Sequence, residues 1–464
     1  MKLSFVYKVL GIDSEDEEGE CNRAVIDSRQ VKENDLFFAL AGEHQDGHDF
    51  VASALEKGAI RAVISRPEYQ NQCTILVENT LDALQTMAAA WKAELNPFTL
   101  AITGSSGKTT VKELAYNVLS HAFGKEHILA TAGNLNNHLG VPLTLLALKG
   151  SHQFAVIEMG MNHFGELNVL STLTQPDVAL VNNVLRAHIG CGFSGIEDIA
   201  RAKAEIFLGL KKEGTAVLPF GSDFYPLLLK AALPHKTISF GRAKADIQGE
   251  LIAQQADSSL IRVTTPKGTI KTWLPFVGEH QINNVLAVFA LLMPIDNLNL
   301  ETIAQGLEHY RAGKGRGEET RLQNNIILID DSYNANPDAV EYALDALSQR
   351  PGKKLFIFGD MGELGDYSSP LHEEIGAYAK KVGIDYLLAV GTDSKQAVIA
   401  FGEGAFHVRD LSQLRTKITE YLPLVNTVLV KGSRFMHLEK VVDILKKDYA
   451  CLLYTSDAAD ERSS

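Results

Sequence analysis

Between Phe98 and Ala122 the chain places a short apolar run, a glycine-bounded polar loop and a helical segment in immediate succession. Phe98–Ile102 has the length and apolar content of a buried strand, and Thr109–Ala122 has helical periodicity. Thr103-Gly-Ser-Ser-Gly-Lys-Thr-Thr110 joins them. Glycines there would let the backbone approach phosphate oxygens. The helix start and Lys108 would hold the anion, and the Thr109 hydroxyl is placed for Mg²⁺. The usual spacing G-x-x-x-x-G-K-[ST] asks for a glycine where this chain has Ile102, and only Gly104 is present, so the loop is two residues short. Taken alone, it is also a Gly-Ser turn before a surface helix.

The neighbouring segments continue the alternation. Phe154–Ile157 and Val178–Val181 are further buried-strand runs, which implies βαβ units and a largely parallel sheet. Upstream, Asp35–Leu40, Ala59–Ile64 and Thr74–Val77 are short apolar runs between polar turns, and Asn96-Pro97 marks a boundary. A second boundary falls in the glycine-rich Arg311–Gly317. Beyond it come four more strands, Ile326–Ile329, Lys354–Phe358, Tyr386–Val390 and Thr427–Val430, with helices between. The expected fold is α/β in three domains. These are an N-terminal α/β domain over 1–96, a central P-loop domain with a mostly parallel sheet over 97–310, and a C-terminal Rossmann-like domain over 311–450.

Composition narrows the function classes. With 464 residues, 45% apolar and 22% charged, the chain reads as an ordinary globular protein. A net charge of −13 argues against a general nucleic-acid binder. No apolar run approaches the ~20 residues that span a bilayer. The N-terminus gives way to the acidic stretch Asp13–Glu20 without a small-residue cleavage site, so no signal peptide and no membrane insertion are expected. Residues 451–464 resemble the translation of a sequencing-library adapter and are set aside. That leaves Cys21, Cys73 and Cys191, far apart, which suits a reducing cytoplasm and offers neither a disulfide framework nor zinc spacing.

Ligands of open parallel sheets sit beyond the carboxyl ends of strands. Glu158 lies there, after Phe154–Ile157. A carboxylate in that place holds Mg²⁺, caps a helix or faces solvent, and residue type alone does not choose. His188 follows Val178–Val181 and by itself reads as a structural histidine. Lys203 stands in the alanine-rich Ile199–Ile206, where small neighbours leave room around its amine. Alone it reads as a solvated helix lysine.

Five stretches resemble the signatures of the Mur ligases, ATP-dependent amide ligases that build the peptidoglycan peptide. They are Thr103–Thr110, Thr131-Ala-Gly-Asn-Leu-Asn-Asn-His-Leu-Gly-Val-Pro142, Glu158-Met-Gly-Met-Asn162, Arg201-Ala-Lys-Ala-Glu205 and Asp330-Asp-Ser-Tyr-Asn-Ala-Asn-Pro337. The shortened P-loop is the usual form in that family. Gly359-Asp-Met-Gly-Glu-Leu-Gly365 and Lys431-Gly-Ser-Arg434 resemble the branch that adds D-alanyl-D-alanine, and Asp27-Ser-Arg29 and Asp46-Gly-His48 resemble its UDP-binding domain. The resemblance runs in order through residues 20–445.

The resemblance implies a role for each matching residue. Gly104, Ser105, Ser106, Gly107, Lys108, Thr109 and Thr110 hold the ATP phosphates. Thr109 and Glu158 hold one Mg²⁺, while His188 and a carbamylated Lys203 serve a second. Carbamylation turns a cation into an anion able to bind metal. Lys108, Lys203, His188 and Glu158 form the catalytic set. Asn284 and Asn336 contact adenine, and Arg316 and Asp331 contact phosphate and ribose. Ser28, Arg29, Asp46, Gly47 and His48, with Asn134, Asn136 and Asn137, contact the UDP-linked substrate. Gln281 departs from the asparagine of several sister ligases. The implied reaction joins D-alanyl-D-alanine to UDP-N-acetylmuramoyl-tripeptide through an acyl phosphate, in a cytoplasmic monomer with no nucleic-acid partner.

Rivals stay open at this point. The diaminopimelate- or lysine-adding ligases and folylpolyglutamate synthase share the P-loop, although the Asp-Asn-Pro-Arg usual in the diaminopimelate type does not occur here. A P-loop ATPase or kinase fits the central segment alone. A non-catalytic nucleotide-binding regulator is the non-enzyme alternative.

Overall fold

The computed structural model describes residues 1–13, 18–42, 45–190, 192–255 and 257–450. Cys191 and the segment 451–464 therefore lie outside the described residues. Among the described residues the chain forms three sheets, and no helix is long and apolar enough to cross a membrane.

The largest sheet has nine strands, in the order Gly268–Leu274, Ser259–Thr265, Ile247–Gln254, Lys236–Gly241, Thr215–Pro219, Val178–Val181, Phe98–Thr103, Phe154–Glu158 and Ile128–Ala130. Pairing is parallel from Ile128–Ala130 to Ile247–Gln254, and antiparallel for the last two strands. Successive side chains of a strand point to opposite faces. Leu100, Ile102, Phe154 and Val156 therefore pack into one layer, and Ala101, Ala155 and Ile157 into the other. The first layer holds helices Lys108–Phe123, Glu279–Leu292 and Leu300–Glu308. Glu279–Leu292 is buried from Asn284 to Leu292 without a break, as a helix covered on all sides must be. The second layer holds Gly140–Leu146, Glu166–Thr174, Ile196–Ala204 and Tyr225–Ala232, and also Thr80–Leu95 from the N-terminal region.

The N-terminal sheet is parallel, in the order Ala24–Val25, Leu36–Phe38, Arg61–Ile64, Thr74–Leu76. Phe37, Ala62 and Ile64 face a small cluster under helix Val51–Glu56. Leu36, Phe38 and Val63 face a core that also contains Leu84 and Met87 of Thr80–Leu95 and Val141 and Leu145 of the central domain. Asn79 caps Thr80–Leu95 by accepting from the N–H groups of Leu81 and Asp82. Asn96, at φ 40°, ends it in the left-handed conformation, and Pro97 prevents its continuation.

The C-terminal sheet runs Glu318–Arg321, Ile327–Asp331, Thr427–Lys431, Lys354–Gly359, Tyr386–Val390, Ala405–Val408, parallel except at the first strand. Helices cover both faces. The three-domain α/β architecture with a mostly parallel central sheet is thus present. The sequence reading passed over Ile128–Ala130 and the fully buried Thr215–Pro219 although both are apolar runs, and it also passed over strands that lack such a run. Ser259–Thr265 alternates buried with less buried residues, and the edge strand Glu318–Arg321 has no fully buried residue. Half-covered antiparallel and edge strands do not read as apolar blocks.

Phe289, fully buried in the wrapped helix, and Ile399, 64% exposed, give a calibrating pair. Phe289→Ala is expected to lower the unfolding free energy by about 3–5 kcal/mol. Ile399→Ala should change it by less than about 0.5 kcal/mol. Urea unfolding of both variants checks the difference.

Candidate active site

Three adjacent strands deliver their carboxyl ends to one place. Phe98–Thr103 lies between Phe154–Glu158 and Val178–Val181, with Ile102 paired to Glu158 and Thr103 to Val181. The phosphate loop, the Glu158 carboxylate and the loop 182–188 therefore emerge side by side.

The loop 104–107 is held rigid by asparagines from neighbouring segments. Asn182 Nδ2 and Asn183 Nδ2 both donate to Ser106 O at 3.0 Å, and Ser106 N–H donates to Asn183 Oδ1 at 2.9 Å. Ser105 Oγ donates to Leu185 O and accepts from Leu185 N–H. Asn182 Nδ2 also donates to Asn284 Oδ1 at 2.9 Å, and Asn284 Nδ2 to Gln281 Oε1 at 3.1 Å. Gly107 has φ +75°, and a Cβ there would stand 2.5 Å from Asn284 Oδ1, so conformation and space both demand glycine. It precedes Lys108–Phe123, whose first N–H groups have no intrahelical acceptor and suit an anion. Lys108 Nζ donates to Gly104 O at 2.8 Å.

Glu158 is almost fully buried and held on both oxygens. Thr109 Oγ1 donates to Oε2 at 2.6 Å, and Asn136 Nδ2 donates to Oε1 at 2.8 Å. Among the described residues no group of three or more His, Cys, Asp or Glu side chains could hold a metal ion. One carboxylate and one hydroxyl are a sparse donor set. That set fits Mg²⁺, which keeps several waters and takes substrate phosphate oxygens as its remaining ligands.

Burial pushes the Lys108 amine below the ordinary lysine range, against the pull of Glu158. Lys203 is 2% exposed, and burial, with Lys108 nearby, pushes it far lower. Among the described residues no acceptor or ion-pair partner stands against Lys203, and it lines the cleft. A buried, unpartnered, easily neutralised amine fits carbamate formation. His188 has φ +65°. Its Nδ1 stands 2.9 Å from Glu363 Oε2 without the alignment of a hydrogen bond. That imidazole holds the Glu363 carboxyl below its usual range.

The opposite wall belongs to the C-terminal domain. Arg316 stacks on Tyr333, with its guanidinium carbon 3.9 Å from the ring centre. Lys431 Nζ bonds Asp331 Oδ2 at 2.6 Å and Asn334 O at 3.0 Å, yet burial leaves the Asp331 carboxyl above its ordinary value. Asn336 Oδ1 caps helix Pro337–Ser348, and its Nδ2 reaches Ser105 O at 3.5 Å. The open cleft measures about 2680 Å³, well beyond the roughly 300–1,000 Å³ of a single-ligand pocket, so it has room for several substrates together. Ser106–Thr110, Glu158, His188, Lys203, Asn284, Arg316, Asp331 and Asn336 line it, with Gly104 and Ser105 behind the loop.

The residues matched to UDP-substrate binding divide. Asn134, Asn136 and Asn137 line the cleft. However, the Asn136 amide is engaged by Glu158, and Asn137 Oδ1 accepts from the N–H groups of Leu139 and Gly140 at the start of a helix. Asn136 thus orients Glu158, while Asn137 caps the helix through its oxygen and leaves its Nδ2 on the cleft without an acceptor among the described residues. Ser28, Arg29, Asp46, Gly47 and His48 gather past the carboxyl ends of the N-terminal strands, apart from the cleft lining. Arg29 is exposed and pairs with Asp27. His48 is 1% exposed, with Nδ1 on Asp46 Oδ1 at 2.6 Å and Nε2 accepting from Ser65 N–H at 2.9 Å. With both ring nitrogens engaged, His48 is held in one orientation. Gly47 approaches Leu40 so closely that a Cβ would stand 2.7 Å from its backbone N and O.

Sequence reasoning passed over Asn182, Asn183, Arg186 and Glu363 as site residues. The Asn182-Asn183 pair directly after a buried strand was the available signal. Because Asn136 orients the Glu158 carboxylate, Asn136→Ala should weaken Mg²⁺ binding by about 10–100-fold while the fold is kept, if that carboxylate is a ligand. Titration of Mg²⁺-dependent nucleotide binding checks it.

Comparison with known proteins agrees with this geometry. Residues 23–97 match the model of the Mur ligase family catalytic domain, 102–292 the Mur ligase middle domain, and 315–434 the Mur ligase glutamate ligase domain. The chain is 36% identical to a UDP-N-acetylmuramoyl-tripeptide–D-alanyl-D-alanine ligase of Haemophilus influenzae, covering 94% of this chain and 96% of that protein. A crystal structure of MurF from Acinetobacter baumannii superposes with a TM-score of 0.89 at 34% identity, covering 96% of this chain and 98% of that one. MurF ligase from Thermotoga maritima, solved in complex with ADP, superposes at 0.83 and 28% identity, covering 92% and 97%. The chain belongs to the Mur ligase family.

Proposed function

We propose that this protein is the ATP-dependent ligase that joins D-alanyl-D-alanine to UDP-N-acetylmuramoyl-tripeptide in peptidoglycan precursor synthesis. The observation that carries the reading is a rigid phosphate loop, a held carboxylate at Glu158 and an unpartnered buried Lys203 on one multi-substrate cleft. Relatives that share more than nine-tenths of its length bear that activity in their names, and one such ligase binds ADP. A monomeric, cytoplasmic enzyme belongs to the same reading.

The tripeptide carboxylate attacks the γ-phosphorus of ATP, and ADP leaves with the bridging oxygen. The free amine of the dipeptide then attacks the acyl carbonyl. The amide C–N bond forms, the acyl C–O bond breaks, and phosphate and a proton depart. Such transfers depend on positioning and charge neutralisation more than on covalent help from the protein. Lys108 and the first turn of Lys108–Phe123 hold the phosphates. Arg316 and Lys431 close over them from the C-terminal domain. Thr109 and Glu158 would hold one Mg²⁺, and His188 with a carbamylated Lys203 a second. When bound, these ions neutralise charge as phosphate oxygens gain it. Asn284 braces the loop from beneath, and Asn336 does so from the facing domain.

Phosphate release is assayed with UDP-linked tripeptide, ending in meso-diaminopimelate or lysine, with and without D-alanyl-D-alanine. The ligase reading requires release that depends on both substrates. Release independent of both would mark an ATPase, and ATP binding with no release a regulator. Lys203→Ala is expected to lose ligation nearly completely, with no recovery in bicarbonate. A ¹³C-carbamate resonance seen in the native protein with labelled bicarbonate should be missing in the variant. Lys108→Ala should lose ATP turnover with an unchanged circular dichroism spectrum, and turnover equal to the parent's would refute the phosphate-loop assignment.

A further inference from the structure

Arg186 lies in the central domain, between the braces of the phosphate loop and His188, yet its partners all belong to the C-terminal domain. Its backbone N–H donates to Asp338 Oδ2 at 2.6 Å, and Nε donates to Asp338 Oδ1 at 3.0 Å. Nη1 donates to Glu374 Oε1 at 2.8 Å, and Nη2 to Glu341 Oε1 at 3.1 Å. Every guanidinium nitrogen is engaged by one of three carboxylates. Asp338 and Glu341, three apart, share one face of helix Pro337–Ser348, and Glu374 comes from Ser368–Lys381. The Arg186 side chain is 26% exposed.

The same loop touches the phosphate loop on its other side. Asn183 and Leu185 hold Ser105 and Ser106, and Asn336, two residues before Asp338, reaches Ser105 O. Below Arg186 the contact continues through His188 and Glu363 to Gly190 and Gly365, where a Cβ on Gly365 would stand 2.7 Å from Gly190 O.

We propose that Arg186 is a positioning residue: a clasp that holds the C-terminal domain against the nucleotide loop, so that Arg316 and Lys431 face the phosphates before substrate arrives. A planar fork can satisfy three carboxylates at once, and a lysine ammonium offers only one point. The clasp raises the population of the binding-competent form, and apparent affinity scales with that population. The kinetic arm of the test rests on the ligase reading. The scattering arm does not, so failure of one is distinguishable from failure of the other.

The full chain is compared with Arg186→Ala and Arg186→Lys by small-angle X-ray scattering without ligands, and by steady-state ligation kinetics. Arg186→Ala is expected to increase the radius of gyration and to raise KM for ATP and for D-alanyl-D-alanine about tenfold, with kcat within about twofold. Arg186→Lys should fall between the two. Parental scattering and parental KM values in a well-folded Arg186→Ala would overturn the clasp. So would a fall in kcat at constant KM, which would place Arg186 in the chemistry. If Arg186→Ala does not fold, Glu374→Gln, at the 45% exposed rim, is read the same way. It should raise both KM values about twofold to threefold, and parental values there would also overturn the proposal.

Discussion

The site depends on the register of three parallel strands. Ile102 pairs with Glu158 and Thr103 with Val181, so the phosphate loop, the carboxylate and the asparagine pair leave the sheet at one level. A slip of one residue would turn every buried side chain to the wrong face. The two packed layers oppose this, because Leu100 and Ile102 are matched to one and Ala101 to the other. Packing deep in the sheet therefore fixes the 2.6 Å contact between Thr109 and Glu158 at its rim.

The electrostatics of the rim point the same way. Desolvation lowers the proton affinity of Lys108, Lys112 and Lys203. Glu158 pulls the other way on the first two, and Glu113 stands 3.9 Å from Lys112, but among the described residues no carboxylate stands against Lys203. Buried cations without counter-ions are costly. Anions brought by a nucleotide, a tripeptide carboxylate or a carbamate offset that cost. The preference is local, in a chain whose net charge is −13.

Much of this was legible in the sequence because buried parallel strands read as continuous apolar runs, and the carboxyl end of each run points to a loop that can hold a ligand. Phe98–Thr103, Phe154–Glu158 and Val178–Val181 were visible for that reason. Less visible were pairings set by tertiary closure. Nothing local to Asn136 says that its amide meets Glu158, and Arg186 finds Asp338 across 152 residues of chain. The bond from Ser65 N–H to His48 was hidden in the same way, because it spans 17 residues of chain. The meander Ile247–Leu274 escaped because its strands are covered on one side only.

Helix Thr80–Leu95 and the central helices share one apolar core, in which Leu84 and Met87 sit with Val141 and Leu145. Between the central and C-terminal domains the seam is mostly charge and close backbone, with the apolar Ile189 packed against clusters on both sides. Oil cannot be parted without exposing it, whereas ion pairs can be handed over to water. In kinematic terms such a division would make two bodies and one joint out of three sheets. The UDP-linked end of a long substrate would ride with the phosphate loop throughout a cycle, and the wall carrying Arg316 and Lys431 would be the part that travels.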